Sequence, residues 1–174
     1  MNKTALQFTR TPPRRQRRQR GFTLMEVLIS MVVLSIGLLG LAGLQVNSLK
    51  NNNSSYQRSQ ANLLANEIID RIRANRAGLE AGYYDDLLGT TPTDPGCIST
   101  GCTVQQIAQY DAFLWSGELA NRLPSGTGTV TGNGADSVFT ITVMWDDERT
   151  GATGTACSGD SSVDLTCFVM STRL

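Results

Sequence analysis

Glu26 is the only charged residue in the 23-residue run from Phe22 to Leu44. A carboxylate at mid-depth in a bilayer costs roughly 2.5–3.5 kcal/mol. An acid so placed either pairs with a cation brought by another molecule or snorkels to the headgroups near the helix end. The second reactive set is the four cysteines: Cys97 and Cys102 with four residues between them, Cys157 and Cys167 with nine. Those spacings, lacking a Cys-x2-Cys pair, favour two disulfides, Cys97–Cys102 and Cys157–Cys167, over a zinc site. Asp146-Asp147-Glu148 has the ligand type for a hard cation such as calcium without the spaced pattern of a calcium loop, and reads as a solvated strand exit. Gly159-Asp160-Ser161 offers a hydroxyl nucleophile in a turn-rich setting, but the chain has no histidine to act as its base. The same lack removes the commonest zinc ligand and the physiological pH switch. No catalytic site, metal or cofactor is expected, and the chain reads as a non-enzyme.

The elements that must position these residues follow from charge and periodicity. The 174 residues suffice for one ordinary domain plus an appendage. Net charge is zero, yet seven of the fifteen basic residues lie in the first 21 positions with no acid among them; from residue 22 on, eight basic residues face fifteen acidic ones, a net −7. The basic run abuts an apolar segment and has no aromatic interleaving, so membrane topology accounts for it better than nucleic acid does. It is polar and without hydrophobic period, hence expected to be disordered before processing. The apolar run is long enough to cross a hydrocarbon layer of about 30 Å. The positive-inside bias keeps the N-terminus in the cytoplasm and puts everything after residue 46 outside, in the periplasm of a double-membraned bacterium or at the surface otherwise. A secretory signal would be shorter and end in a small-residue cleavage site. Gly37, Gly40 and Gly43 either allow another helix to approach closely or reflect the ordinary tolerance of glycine in membrane helices.

Helical periodicity continues beyond the membrane. Ala61, Leu64, Ala65, Ile68 and Ile72 form one apolar stripe, with Arg58, Glu67, Asp70, Arg71 and Arg73 on other faces and Gly78 as the stop. With no proline between residues 22 and 91, one nearly continuous helix from Phe22 to Ala77 would be roughly 80 Å long. Residues 78–102 read as a turn-rich loop closed by the first cysteine pair. A second amphipathic helix starts at Val104, carries Ile107, Tyr110, Leu114, Trp115, Leu119 and Leu123, and ends at Pro124-Ser125-Gly126. The period then changes to two. Thr127–Thr131 is a short strand, Asn133-Gly-Ala-Asp a turn, Phe139, Ile141, Val143 and Trp145 one face of a second strand, and Leu165–Ser171 a third. Three or so antiparallel strands with one buried face need a cover, and the outer half of the long helix is the natural one.

With the elements in place, Gly21-Phe22-Thr23-Leu24-Met25-Glu26, preceded by arginines and followed by the apolar run, resembles the class III leader of type IV prepilins and their pseudopilin relatives. The resemblance implies an α+β type IV pilin fold, a long N-terminal helix packed on a small antiparallel sheet. It implies cleavage between Gly21 and Phe22 by a prepilin peptidase, N-methylation of Phe22, and polymerisation in which Glu26 pairs with the Phe22 amine of an adjacent subunit. The chain then divides into a cleaved cytoplasmic leader (1–21), a transmembrane and assembly helix (22–46), its amphipathic continuation (47–78) and a periplasmic α+β domain (79–174).

Further patches resemble the PilV group of minor pilins, the type IV pilus modification proteins. These are Ile68-Ile-Asp-Arg-Ile-Arg-Ala-Asn-Arg-Ala-Gly78, the second helix with Trp115 and Leu123-Pro-Ser-Gly126, and Val143-Met-Trp-Asp146. Many major pilins carry a membrane-helix proline near the place where this chain has Gly43. The function implied is a minor pilin that primes assembly of the filament and so serves twitching motility or adhesion. Its partners are other minor and major pilins, the peptidase, the inner-membrane assembly platform, and the membrane through residues 22–44. A type II secretion pseudopilin shares the architecture, and a membrane-tethered periplasmic binding domain is the alternative of another class.

Overall fold

The structure, a computed structural model, describes residues 21–87, 92–134 and 137–174. The basic run 1–20, part of the loop 78–102 and the middle of the turn at 133–136 lie outside the described residues. The chain divides into two compact units, Met1–Val46 and Asn47–Leu174.

In the first unit Gly21–Thr23 leads into helix α1, Leu24–Ala74, which also supplies the first element of the second unit. Every residue from Gly21 to Asn53 is exposed. The helix has one 18-residue window of mean hydropathy 2.5, long and apolar enough to cross a membrane. Asn51-Asn52-Asn53-Ser54-Ser55, weak helix material by propensity, is helical: the Ser55 hydroxyl donates to Asn51 O at 2.8 Å, and Ser54 Oγ donates to Asp147 Oδ2 at 2.7 Å.

In the second unit, α1 is followed by α2 (Arg76–Glu80), β1 (Asp86–Leu87), α3 (Cys97–Thr100), α4 (Val104–Arg122), β2 (Thr127–Asn133), β3 (Val138–Trp145) and β4 (Thr166–Arg173). The four strands form one antiparallel sheet in the order β1-β2-β3-β4, with Ile141 opposite Val130 on one side and Met170 on the other. The α+β reading holds. Ala61, Leu64, Ala65, Ile68 and Ile72 are all completely buried and share one core with Val130, Phe139, Ile141, Val143 and Trp145. The period-3.6 stripe of the helix thus meets the period-2 face of β3.

Three expectations shift. Helix α1 stops at Ala74, not at Ala77 before Gly78, because the Asn75 side chain leaves the helix to accept from Gly78 N and start α2. The short β1 adds a fourth strand that a two-residue run cannot announce. The buried stripe of α4 is rotated from Ile107, Tyr110 and Leu114 to Ala108, Asp111 and Ala112, while Trp115, Leu119 and Leu123 stay. Trp115 is buried among the core side chains, where its Nε1 donates to the Leu64 carbonyl of α1 at 2.9 Å. The same crowding explains Gly128 on β2, where a Cβ would lie 2.6 Å from the Trp115 ring.

Candidate functional site

The N-terminal turn of α1 is built on Thr23. Its carbonyl accepts from Glu26 N at 3.0 Å and Val27 N at 3.3 Å, and its hydroxyl accepts from Glu26 N at 3.3 Å. Thr23 therefore caps the helix, and the Thr23-x-x-Glu26 spacing is the sequence signature of such a start, a signal that the leader motif overshadows. Glu26 stands in the first turn, where the partial positive charge of the helix N-terminus favours an acid. Phe22, Glu26, Ser30 and Leu34 line one shallow groove of this helix. The Ser30 and Ser35 hydroxyls donate back to the carbonyls of Glu26 and Met31 at 2.7 Å, so they need no outside partner. The Glu26 carboxylate differs: it makes no hydrogen bond or ion pair with a described residue. Phe22 is 82% exposed, and a Cβ on Gly21, Gly37, Gly40 or Gly43 would meet nothing. A lone carboxylate at the mouth of an exposed apolar helix can bind a cation once water is removed.

The other candidates lie in the second unit and do not converge. Disulfides join Cys97 to Cys102 and Cys157 to Cys167, with Cα atoms 5.0 and 5.7 Å apart. The first closes α3; the second fastens the loop after β3 to β4. Asp146, Asp147 and Glu148 turn to separate partners. Asp146 accepts from Thr150 N at 3.0 Å and Gly151 N at 2.8 Å, Asp147 from Trp145 Nε1 at 3.0 Å, and Glu148 from Ser161 Oγ at 3.2 Å. Burial opposes the Asp146 charge, but the N–H donors of Gly151 and Thr150 outweigh it and lower its pKa. Ser161 thus donates to a carboxylate within a surface turn, and Asp160 holds Ser162. Among the described residues no three His, Cys, Asp or Glu side chains are grouped to hold a metal.

Sequence reasoning missed one buried polar cluster. Tyr84, completely buried, donates its hydroxyl to Asp111 Oδ2 at 2.6 Å and accepts from Asn75 Nδ2 at 3.0 Å. Arg71 lies 3.5 Å from Asp111 and 2.8 Å from Glu67. Burial first, and then the Asp111 carboxylate, raise the Tyr84 pKa. Burial lowers that of Arg71, but Glu67 and Asp111 more than reverse it. The polar residues of the Arg71-to-Gly78 segment therefore join α1, α2 and α4. Asp111 falls on the apolar stripe of α4, which was its only sequence signal.

Two family models match adjoining stretches of the chain. The prokaryotic N-terminal methylation motif covers residues 16–42, and Type IV pilin Tt1218 covers residues 43–113. Together they take in the end of the leader, the whole of α1 and the first half of α4. The chain belongs to the type IV pilins. No curated protein and no solved structure matches this pilin. Type IV pilins are structural proteins, not enzymes, and the methylation motif in this one implies assembly with other pilins and processing by a prepilin peptidase. Its apolar N-terminal helix fits a membrane-anchored pilin.

Proposed function

We propose that this pilin is a minor pilin of the PilV-like group that helps to prime the type IV pilus, and thereby serves twitching motility or adhesion. The basic leader 1–21 stays on the cytoplasmic side and is removed between Gly21 and Phe22. Phe22 is N-methylated, residues 22–44 hold the chain in the inner membrane, and the outer domain stands in the periplasm until it enters a surface filament with other minor and major pilins through the assembly platform. One observation carries the reading: Glu26 is the sole charge of the exposed apolar run Phe22–Leu44, one turn from Phe22, with no partner among the described residues. After cleavage the Phe22 amine of a neighbouring subunit supplies the missing cation. Each charge is costly alone in hydrocarbon, so their pairing selects one axial register as the subunit leaves the bilayer.

The test is Glu26→Gln. The variant should insert, be cut to a methylated Phe22 terminus by mass spectrometry, and keep its outer fold. It should fail to cross-link or co-purify with other minor pilins, since breaking a buried pair costs about 3–5 kcal/mol. Normal complexes and normal piliation would sink the proposal, and an uncleaved precursor would move Glu26 to peptidase recognition instead.

A further inference from the structure

The core of the second unit is open along one side. On β2 and β3 the inward residues Val130, Phe139, Ile141 and Val143 are completely buried, whereas Phe168 and Met170 of β4, opposite Val143 and Ile141, are only partly so. β4 is the last strand of the sheet and pairs with β3 alone. Alternate residues of Thr166–Arg173 therefore turn their N–H and C=O groups outward, with no strand beside them among the described residues. The opposite edge is blunted, since β1 has only two residues; β4 has eight and contains no proline. Beside the β4 edge runs a groove of about 580 Å3, lined by Ser55, Arg58, Ser59, Asn62 and Leu63 of α1 and by Phe168.

The side chains of the groove say what fits it. The Ser59 hydroxyl donates to Ser55 O at 2.9 Å and Asn62 Oδ1 accepts from Asn66 Nδ2 at 3.0 Å, so these are satisfied within α1. Two others are not. Leu63 is 57% exposed on a helix whose other apolar residues from Ala61 to Ile72 are buried, and Arg58 makes no hydrogen bond or ion pair with a described residue. An extended segment laid along β4 would meet the outward backbone groups and send alternate side chains into the groove. There Leu63 and Phe168 call for an apolar side chain and Arg58 for a carboxylate. Arg58 and Leu63 stand about 7.5 Å apart along the helix axis, close to the ~7 Å between alternate side chains of a strand. A second copy does not supply the acid: β4 and the groove hold Arg58 and Arg173 and no carboxylate, so pairing β4 with β4 would gather arginines from both copies with nothing to meet them. The basic run 1–20 would add further positive charge. We propose that β4 is a docking edge for an extended segment of another protein that carries an apolar and an acidic side chain two residues apart on one face.

The experiment uses the mature full-length pilin in detergent micelles. The probes are the capped peptides Thr-Val-Thr-Val-Thr-Glu-Thr and Thr-Glu-Thr-Val-Thr-Val-Thr, which offer the acid at either end of the strand, and the same two peptides with lysine in place of glutamate. Binding is followed by NMR, through amide hydrogen exchange along β4 and the Arg58 Nε shift. One of the glutamate peptides should slow exchange at alternate amides between Cys167 and Thr172 and shift Arg58 Nε. It should bind about fivefold tighter than its lysine counterpart, the upper end for an exposed ion pair. Arg58→Glu, at an exposed position, should reverse that preference while leaving thermal unfolding unchanged, and Leu63→Ser should weaken both peptides alike. No slowing along β4, equal binding of the glutamate and lysine peptides, or a preference that survives Arg58→Glu would each overturn the proposal. Protection of the same amides without peptide, rising with pilin concentration, would also overturn it and give the edge to a second copy.

Discussion

Two stretches of α1 show what a helix asks of its surroundings. From Leu24 to Val46 apolar side chains point in every direction and all are exposed, Leu34 at 62% and Leu39 at 74%. From Gln57 to Ile72 all of them but Leu63 are confined to one stripe and buried, with Leu63, Arg58 and Asp70 left outside. A stripe needs one partner, and the sheet of the same chain provides it. A surface apolar all round needs partners on every side, which means lipid or several neighbouring helices. The difference also separates two kinds of residue: those whose loss unfolds the outer unit, and those whose loss changes only what the chain assembles with.

The largest effect breaks that comparison directly. Leu64→Ala removes a completely buried side chain from the core and should lower unfolding stability by about 2–5 kcal/mol. Leu38→Ala, on the exposed stretch, should stay within about 0.5 kcal/mol by the same measure. Urea unfolding followed through the buried Trp115 and Trp145 would show it, and equal losses would mean that the two stretches are not energetically distinct. Next come the disulfides. Their sequence separations of 10 and 5 residues give about 3 kcal/mol for Cys157–Cys167 and about 2 kcal/mol for Cys97–Cys102 by loop-closure entropy. Paired Cys→Ala variants should rank in that order, with no change in the Glu26-dependent assembly.

How much of this the sequence announces depends on whether a residue's role is local. The stripe from Ala61 to Ile72 and the alternation from Phe139 to Trp145 are periodic, and the structure buries both sets. The leader motif is a contiguous string, so the family was legible from six residues. The rotation of α4 was not, because the buried Ala108 and Ala112 give little hydrophobic signal and Trp115 finds its partner at Leu64, 51 residues earlier. Asn75 was missed as a helix stop for the same reason. Its carboxamide binds Tyr84 and the Val104 carbonyl, partners 9 and 29 residues away.

Tyr84 sharpens the comparison from the polar side. Tyr84→Phe keeps the ring and removes the donor to Asp111. It should cost about 1.5 kcal/mol, the low end for a bond to a charged group, because Arg71 still faces Asp111. The pKa of Tyr84 is raised in the folded state, so its contribution is whole below the ordinary tyrosine value and is lost as pH rises through the folded one. Wild type should therefore lose stability in strong alkali more steeply than Tyr84→Phe does. Identical alkaline profiles would remove Tyr84 as the cause.

The smallest effect is at acid pH and concerns the loop from Asp146 to Asp164. Asp146, Asp160 and Asp164 all have lowered pKa values: in Asp146 the N–H donors of Gly151 and Thr150 overcome burial, in Asp160 the Ser162 hydroxyl and N–H lead, and in Asp164 Ser158 leads. A carboxylate whose folded pKa is depressed stabilises fully above its ordinary value of about 3.9 and loses that contribution as pH falls through the folded value. The loop should hence loosen under acid while the stripe of α1 does not, since its buried residues from Gln57 to Ile72 carry no titrating group. Amide hydrogen exchange, corrected for intrinsic rates, would compare about pH 6 with about pH 3. Thr150, Gly151, Ser158 and Ser162 should lose protection and Ile68 and Ile69 should keep it. Asp146→Asn completes the test, because its side-chain carbonyl still accepts from Gly151 N but cannot titrate: protection at Gly151 should become independent of pH in this range, and a persisting acid transition there would assign the loosening to another group.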